Sequence, residues 1–599
     1  AFYTLVTGPA SDASLEDLLG RDAPRPFAAS ERAGQPGVTL VGPAVVRFAL
    51  ELPPSAELRF TPELLPTARA AAGAASFRVT VESRDGGERE AWSRVLDGRT
   101  KAVSEQAIPL PGRAGDIVRV GLAVGEAGSR RFAWGRFVAP RVLGIGGSDP
   151  LQPSPVSAAD DARADPLRKS LAGANVLLVI LDAGRAQSFG AYGYSRPTTP
   201  EIDRIAREGV VFERVYTPAV YTLGAMASLW TSQYPDRHHS EVSFSARLPK
   251  DRLTLAELLS AQGIYTAGFV ANAVAGSGFG FDRGFLEFQE VFRTIGSRGD
   301  VFRRVLPPWL SANRSRRFFA YLHFREPHFP YDPEPPFDTR FGPDGPIPKA
   351  ARRDAAFFTD VNQGRRPFGD AEREHLVRLY DGNLAFADQE VGALRKAMEA
   401  EGLWDRTAVI VAADHGEELF ERGWIGHNVH LYEPSVHVPL IVHFPKGAGP
   451  AGTRVPALAD LLDVAPTIAD ILGARGKGGS DREFQGRSLL PAIAGAPGKP
   501  AVLSRTVWDR PRYALRDERY KYVYFTQTGE EWLYDLRDDP GETRDLAPAE
   551  PLRTAYYRQA LHSWTLRLAR RPAGSEQAQL SREQCANLKA LGYVQSECR

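Results

Sequence analysis

Sulfur is scarce in this chain: 599 residues include only two cysteines and two methionines. Both cysteines, Cys585 and Cys598, lie at the extreme C-terminal end. That placement excludes a cysteine metal knuckle or a disulfide framework through the body of the protein. Two readings stay open for the pair, a tail disulfide in an exported protein or two free thiols. Charge of one sign is also missing. Lys and Arg number 74 against 73 Asp and Glu, a formal balance of +1, which excludes a global field for nucleic acid or an anionic membrane surface. No apolar run reaches the ~18–20 residues that a membrane-spanning helix needs. The opening AFYTLVTGPA has no basic segment before it, so any secretory signal is expected to have been removed already.

What is present suits a multidomain globular protein, since one core does not serve a chain of this length. Within 1–145, short alternating stretches such as VTLVG, VVRFALEL, FRVTVES and IVRVGLAVG are separated by the turn sequences PGV, RDGGE and PGRAGD. Period-two alternation with frequent turns predicts an all-β, jelly-roll-like sandwich. Residues 146–172 are polar and rich in Pro, Ser and Asp, as a linker is. From 173 to 499 apolar strands (NVLLVIL, TAGFVAN, FFAYLHF, TAVIVAAD, HVPLIVHF) alternate with helical patterns at PEIDRIAREG, 252–263 and 385–402. Such alternation predicts an α/β domain with a mainly parallel sheet covered on both faces. The stretches 290–320 and 332–370 read as insertions over the site. Residues 500–599 return to strand-like sequence, YALRD, YKYVYFT and EEWLYDLRDD. They predict a C-terminal subdomain with a small antiparallel sheet and a tail helix.

The chemistry-bearing residues sit where buried strands stop. Asp182 closes NVLLVILD, and Asp414-His415 close TAVIVAADH. In open α/β sheets such strand ends line the ligand crevice. Thr222 precedes the small-residue helical pattern LGAMASLWTS, so its hydroxyl is placed at a helix N-terminus that favours an anion. Two acids, an imidazole and a helix-start hydroxyl together make a metal-and-nucleophile site. Arg185 is a candidate to hold an ester oxygen, or else a salt-bridge partner of a neighbouring acid.

The segments LDAGR, YGYSRPTTPEIDRIAREGVVFERVY, TLGAMASLWTSQYPDRH, EPHFPYDP, AADHGEEL, GHNVHLYEPSVHVPLIV and LYDLRDDPGETRDLA occur in this order. In that series the chain resembles the sulfatase-type members of the alkaline phosphatase superfamily. The resemblance implies an alkaline-phosphatase-like α/β sandwich and a metal-dependent ester hydrolase or phosphotransferase outside the cytoplasm (periplasmic, cell-surface or secreted). It implies metal ligation by Asp182, Asp414 and His415 with Thr222 adjacent, contact of His328 with the ester group, and for His427 a basic role at the leaving group or at a second metal, which His328 could also hold, with His430 as the alternative to His427. His323 faces either the crevice or the core, His238 and His239 read as structural, and Asp381 and Asp388 as cap and helix-face residues.

Two positions depart from the sulfatase pattern. The second acid of the first motif is Ala183, which removes a carboxylate from a calcium-type site. The remaining Asp, Asp and His suit zinc best, with manganese or calcium as alternatives. At the nucleophile, sulfatases use a Cys or Ser oxidised to formylglycine within Cys/Ser-x-Pro-x-Arg, whereas this chain reads Thr222-Leu223-Gly224-Ala225-Met226. The expected reaction is therefore hydrolysis of phosphate, or sulfate, esters through Thr222. A catalytically silent binding or surface-structural protein on the same fold is the competing reading. The N-terminal β domain resembles galactose-binding-like jelly rolls, which implies either a carbohydrate partner, with Trp92 and Trp134 as aromatic candidates, or a purely structural module.

Overall fold

Every side chain of Asn175–Asp182 is buried, and its alternation shows why. Val176, Leu178 and Ile180 enter one apolar layer with Met226, Trp230 and Tyr321. Leu177, Val179 and Leu181 enter the opposite layer with Leu376, Tyr380 and Leu384. Because successive strand residues face opposite ways, a strand can be apolar throughout only when both faces are covered.

The computed structural model describes residues 35–568 apart from 67, 69–72, 101–102, 128–132, 145–150, 152–155, 241–245, 294–301 and 476–482; it also describes 2–4, 27–32 and Cys585. The described residues form two compact units. One contains Pro153–Glu518 and Phe525–Gly529, and the other Ala1–Gln152, Arg519–Tyr524 and Glu530–Leu568. Among the described residues no helix is long and apolar enough to cross a membrane.

The larger unit is built on an eight-stranded sheet. Its strands are β1 (Asn175–Asp182), β2 (Val210–Tyr216), β3 (Tyr265–Val270), β4 (Glu287–Glu290), β5 (Phe318–Pro327), β6 (Thr407–Ala413), β7 (Leu440–His443) and β8 (Thr453–Asp460). They lie in the order β4-β3-β5-β1-β6-β7-β2-β8. The run from β4 to β6 is parallel, β2 and β8 are parallel, and β7 pairs antiparallel with both β6 and β2. This is the mainly parallel α/β sheet the alternating pattern predicts. Four neighbouring strands, β3, β5, β1 and β6, release Asn272, His328, Asp182 and Asp414 at or just beyond their carboxyl ends. Strand adjacency thus assembles a site from residues far apart in sequence.

Two helices frame that edge. Helix α1, Thr222–Thr231, has all ten residues buried, which accounts for its small-residue composition. Helix α2 spans Asp370–Ala400, so it begins well before the predicted 385. Its first turns carry charged residues on the open face while Leu376, Leu379 and Tyr380 enter the core. Asp381 and Asp388 therefore sit inside a helix instead of flanking its start. Asp388 caps a different helix, Pro200–Arg207, by accepting the Glu201 and Ile202 amides at 3.1 and 2.8 Å. Asp381 accepts Tyr194 and Arg196, each at 2.8 Å. The 290–320 stretch also differs from an insertion. Phe302–Asn313 is a helix whose Phe302, Leu306, Trp309 and Leu310 pack on the sheet, because these apolar residues recur at helical spacing. The described part of the linker holds two short helices, Ala158–Ala162 and Asp165–Ser170.

In the smaller unit, two antiparallel sheets enclose one core. One runs Phe27–Arg32, Gln35–Val41, Trp134–Leu143, Glu57–Leu64, Gln106–Pro109; the other runs Ala44–Glu51, Ile117–Glu126, Ala74–Ser83, Gly87–Asp97. Trp92 packs edge-on against Phe60 at 5.1 Å, and Trp134 lines the same core. The C-terminal strands pair as antiparallel hairpins, Val502–Thr506 with Arg512–Arg516 and Tyr520–Phe525 with Glu531–Asp535. These four strands form the small antiparallel sheet expected after residue 500, and Glu530–Leu568 groups with the sandwich. Helix Pro551–Leu568 packs on Ala44–Glu51 and Ile117–Glu126 of the sandwich. Cys585 is disulfide-bonded; Cys598 and the final LKALGYV lie outside the described residues.

Ala44–Glu51 is an edge strand, a row of backbone groups open to unwanted pairing. Gln559 of the tail helix closes it: its Oε1 accepts the Ala49 amide at 3.2 Å, and its Nε2 donates to the Ala49 carbonyl at 3.1 Å. Gln559→Ala should cost about 1–2 kcal/mol, two hydrogen bonds at ~1 kcal/mol each. Hydrogen–deuterium exchange should show faster exchange at Ala49, and unchanged exchange there would contradict the assignment.

Candidate active site

At the end of β1 the chain turns sharply: Ala183 has φ +61°, the left-handed region that residues other than Gly seldom enter. Both of its backbone groups are tied. Its amide donates to Asp414 Oδ1 at 3.2 Å, and its carbonyl accepts the Tyr380 hydroxyl at 2.7 Å. The His415 amide donates to the same Asp414 oxygen at 2.9 Å. Across the motif, Gly416 cannot be replaced by a larger residue, because a Cβ there would stand 1.9 Å from the Pro434 carbonyl oxygen.

These bonds consume one oxygen of each acid and leave the other. Asp182 Oδ2 accepts the Asn272 side-chain amide and lies 3.8 Å from His323 Nε2. Asp182 Oδ1 and Asp414 Oδ2 are buried and have no hydrogen-bond donor. Each is 3.5 Å from His415 Nε2, and Thr222 Oγ1 is 3.5 Å from the same nitrogen. His415 Nδ1 contacts the Gly416 carbonyl at 2.9 Å. A carbonyl only accepts, so the ring proton is on Nδ1 and Nε2 presents a lone pair. Two carboxylate oxygens without hydrogen-bond donors and an imidazole lone pair, all within 4.8 Å of one another, thus converge.

Such a cluster is unfavourable in a buried site unless a proton or a cation sits among its members. Two hard oxygens and one imidazole nitrogen are donors that a divalent metal accepts. The titration behaviour follows from the same crowding. Burial and the Asp182 charge push the Asp414 carboxyl up. Asp182 is also penalised by burial, yet His328, His323 and His415 hold it below the usual carboxylate range.

Two further predicted residues stand beside this point. The His427 ring lies 4.3 Å from His415 and 4.9 Å from His328, centre to centre. Burial lowers His427 to about 4. His328 donates from Nδ1 to the Phe329 carbonyl at 2.6 Å. His430 turns elsewhere, pairing with Glu418 at 3.0 Å and packing against Trp424 and Tyr432. Arg185 is engaged by the Glu421 carboxylate at 2.5 Å and the Glu417 carbonyl at 3.2 Å. His238 is buried with Nε2 2.9 Å from Ser228 Oγ and Nδ1 accepting the Ser240 amide.

Sequence reading missed Asn272, Glu417, Glu418 and Glu421. Asn272 has a visible signal as the polar residue ending TAGFVAN, the same rule that selects Asp182. The three glutamates have none, since an acid after Asp-His-Gly reads as a solvated turn until burial is known. Glu417 and Glu418 are in fact fully buried.

The Sulfatase family model matches residues 174–474, and the model for the C-terminal region of N-sulphoglucosamine sulphohydrolase matches residues 420–562. A Delta 4,5-hexuronate-2-O-sulfatase of Bacteroides thetaiotaomicron is 24% identical, over 62% of this chain and 84% of that protein. Arylsulfatase A of Bos taurus is 26% identical, over 62% and 83% respectively. The phosphonate monoester hydrolase of Agrobacterium radiobacter shares the fold with a TM-score of 0.54 at 21% identity, covering 66% of this chain and 96% of that one. The matched half of the chain contains every residue placed in the site above, and the chain belongs to the sulfatase family of ester hydrolases.

Proposed function

We propose that this protein is a zinc-dependent hydrolase of phosphate esters, with sulfate esters as weaker substrates, and that Thr222 is its nucleophile. The observation that carries this reading is the convergence of Thr222 Oγ1, Asp182, Asp414 and the His415 lone pair on one buried point. Asp182, Asp414 and His415 would hold the ion. Bound there, it lowers the pKa of an adjacent hydroxyl and withdraws charge from ester oxygens.

Thr222 opens α1, whose first-turn amides have no carbonyl partner within the helix and favour a developing oxyanion. Thr222 Oγ1 attacks the central atom, the alcohol departs, and the ester passes to Oγ1. Formylglycine hydrate has a spare hydroxyl whose elimination can then expel sulfate by breaking its own C–O bond. A threonine ester has no such route, so water must attack the central atom. That path favours phosphorus. Arg185 is left out of the ester-binding set, because its guanidinium is already held by Glu421.

The named relatives act on hexuronate sulfate, aryl sulfate and phosphonate monoesters, and an anionic ester is what these substrates share. The Cys585 disulfide supports a location in an oxidising compartment outside the cytoplasm.

Two outcomes test this reading. Protein purified without chelator should carry about one equivalent of zinc by elemental analysis, and Asp414→Asn should lose most of it while remaining folded. Phosphate mono- or diester turnover should exceed sulfate-ester turnover, and Thr222→Ala should lower it by roughly 10³-fold or more, as loss of a nucleophile does. Efficient arylsulfatase activity with little phosphatase activity, or full activity of Thr222→Ala, would contradict the mechanism.

A further inference from the structure

Four imidazoles crowd the site, and their Nδ1 partners differ; that of His323 is the Tyr321 hydroxyl at 2.6 Å. His415 and His328 donate from Nδ1 to backbone carbonyls, those of Gly416 and Phe329. His427 instead pairs through Nδ1 with the Glu417 carboxylate at 2.8 Å. A carbonyl fixes the tautomer of a histidine. A carboxylate fixes the tautomer and also stabilises the imidazolium that forms when Nε2 takes up a proton. Of the four rings, His427 is the one whose Nδ1 is backed by a carboxylate.

Glu417 is itself held from several sides. Its amide donates to the Pro434 carbonyl at 2.9 Å, and its carbonyl accepts Arg185 at 3.2 Å. The Tyr331 hydroxyl lies against its carboxylate. The side chain is fully buried, so the carboxylate has little freedom except toward His427. Glu418, next in the chain, points to the other side of the strand and holds His430 away from the metal ligands.

We propose that Glu417 is a positioning residue that holds His427 with Nε2 ready to take a proton from the water that opens the Thr222 ester. The inference rests on the Thr222 reading above. In the assigned step, the water oxygen bonds to phosphorus as the P–Oγ1 bond breaks. One water proton passes to His427 Nε2 and is returned to Oγ1, so that Thr222 regains its hydroxyl and phosphate departs. Glu417 keeps its charge throughout and touches neither the water nor the ester.

The test uses leaving groups that need no proton, so that only the second step depends on His427. The full-length protein is mixed with p-nitrophenyl phosphate, quenched, and the Thr222 peptide is weighed by mass spectrometry. Glu417→Gln still accepts the Nδ1 proton but lacks the charge. It should release a burst of about one p-nitrophenol per site, then slow by roughly 10²-fold, with phosphate on Thr222 at least tenfold above wild type. His427→Asn should do the same. Glu417→Asp, which keeps the charge and shortens the reach, carries the comparison if Glu417→Gln loses metal or melts early. Wild-type steady-state turnover in the Glu417 variants, or equal loss of burst and steady state with metal retained, would overturn the role of Glu417 alone. Turnover with no phosphate on Thr222 in any variant would overturn the Thr222 reading and the assigned step together.

Discussion

Two buried carboxylate oxygens without hydrogen-bond donors and one imidazole lone pair face each other, and the surrounding structure holds them there. Each acid spends its second oxygen on fixed donors: Asn272 for Asp182, and the Ala183 and His415 amides for Asp414. The histidine spends Nδ1 on its own motif's carbonyl. What remains is a concentration of negative potential in a site without water-like solvation, and its natural complement is a divalent cation. The sheet exists, functionally, to hold this arrangement, since β1 and β6 are neighbours that end at the same level.

Within the sulfatase family the departures of this chain are coherent. Loss of the second acid at Ala183 takes one carboxylate out of the donor set, and the Ala183 turn uses backbone groups alone to orient Asp414. The smaller donor set matches a smaller coordination number. At the nucleophile position the chain has Thr222, the first residue of a fully buried helix. In the same crevice the Glu417 carboxylate backs the His427 imidazole at 2.8 Å.

Much of this was readable in sequence because strand ends announce themselves. NVLLVILD and TAVIVAADH stop apolar runs at acids, so Asp182, Asp414 and His415 were legible, and Thr222 was legible from the small residues that follow it. What was not legible is adjacency. Nothing in TAGFVAN says that its strand lies two places from β1 and brings Asn272 onto Asp182. Nothing in two consecutive glutamates says that they are buried and point to opposite sides. The start of α2 was hidden for a related reason: in DAEREHLVRLYDGN the apolar Leu376, Leu379 and Tyr380 begin two turns in, and the charged residues before them do not mark where the helix starts. The bond from Gln559 to Ala49 spans more than five hundred residues of sequence, which no local pattern can encode.

The central claim is that one cation completes the cluster. Crystals of zinc-loaded protein, measured on both sides of the zinc absorption edge, test it directly. The account predicts a single strong anomalous peak lying among Asp182, Asp414, His415 and Thr222. A zinc peak elsewhere with no density among those four side chains would contradict it.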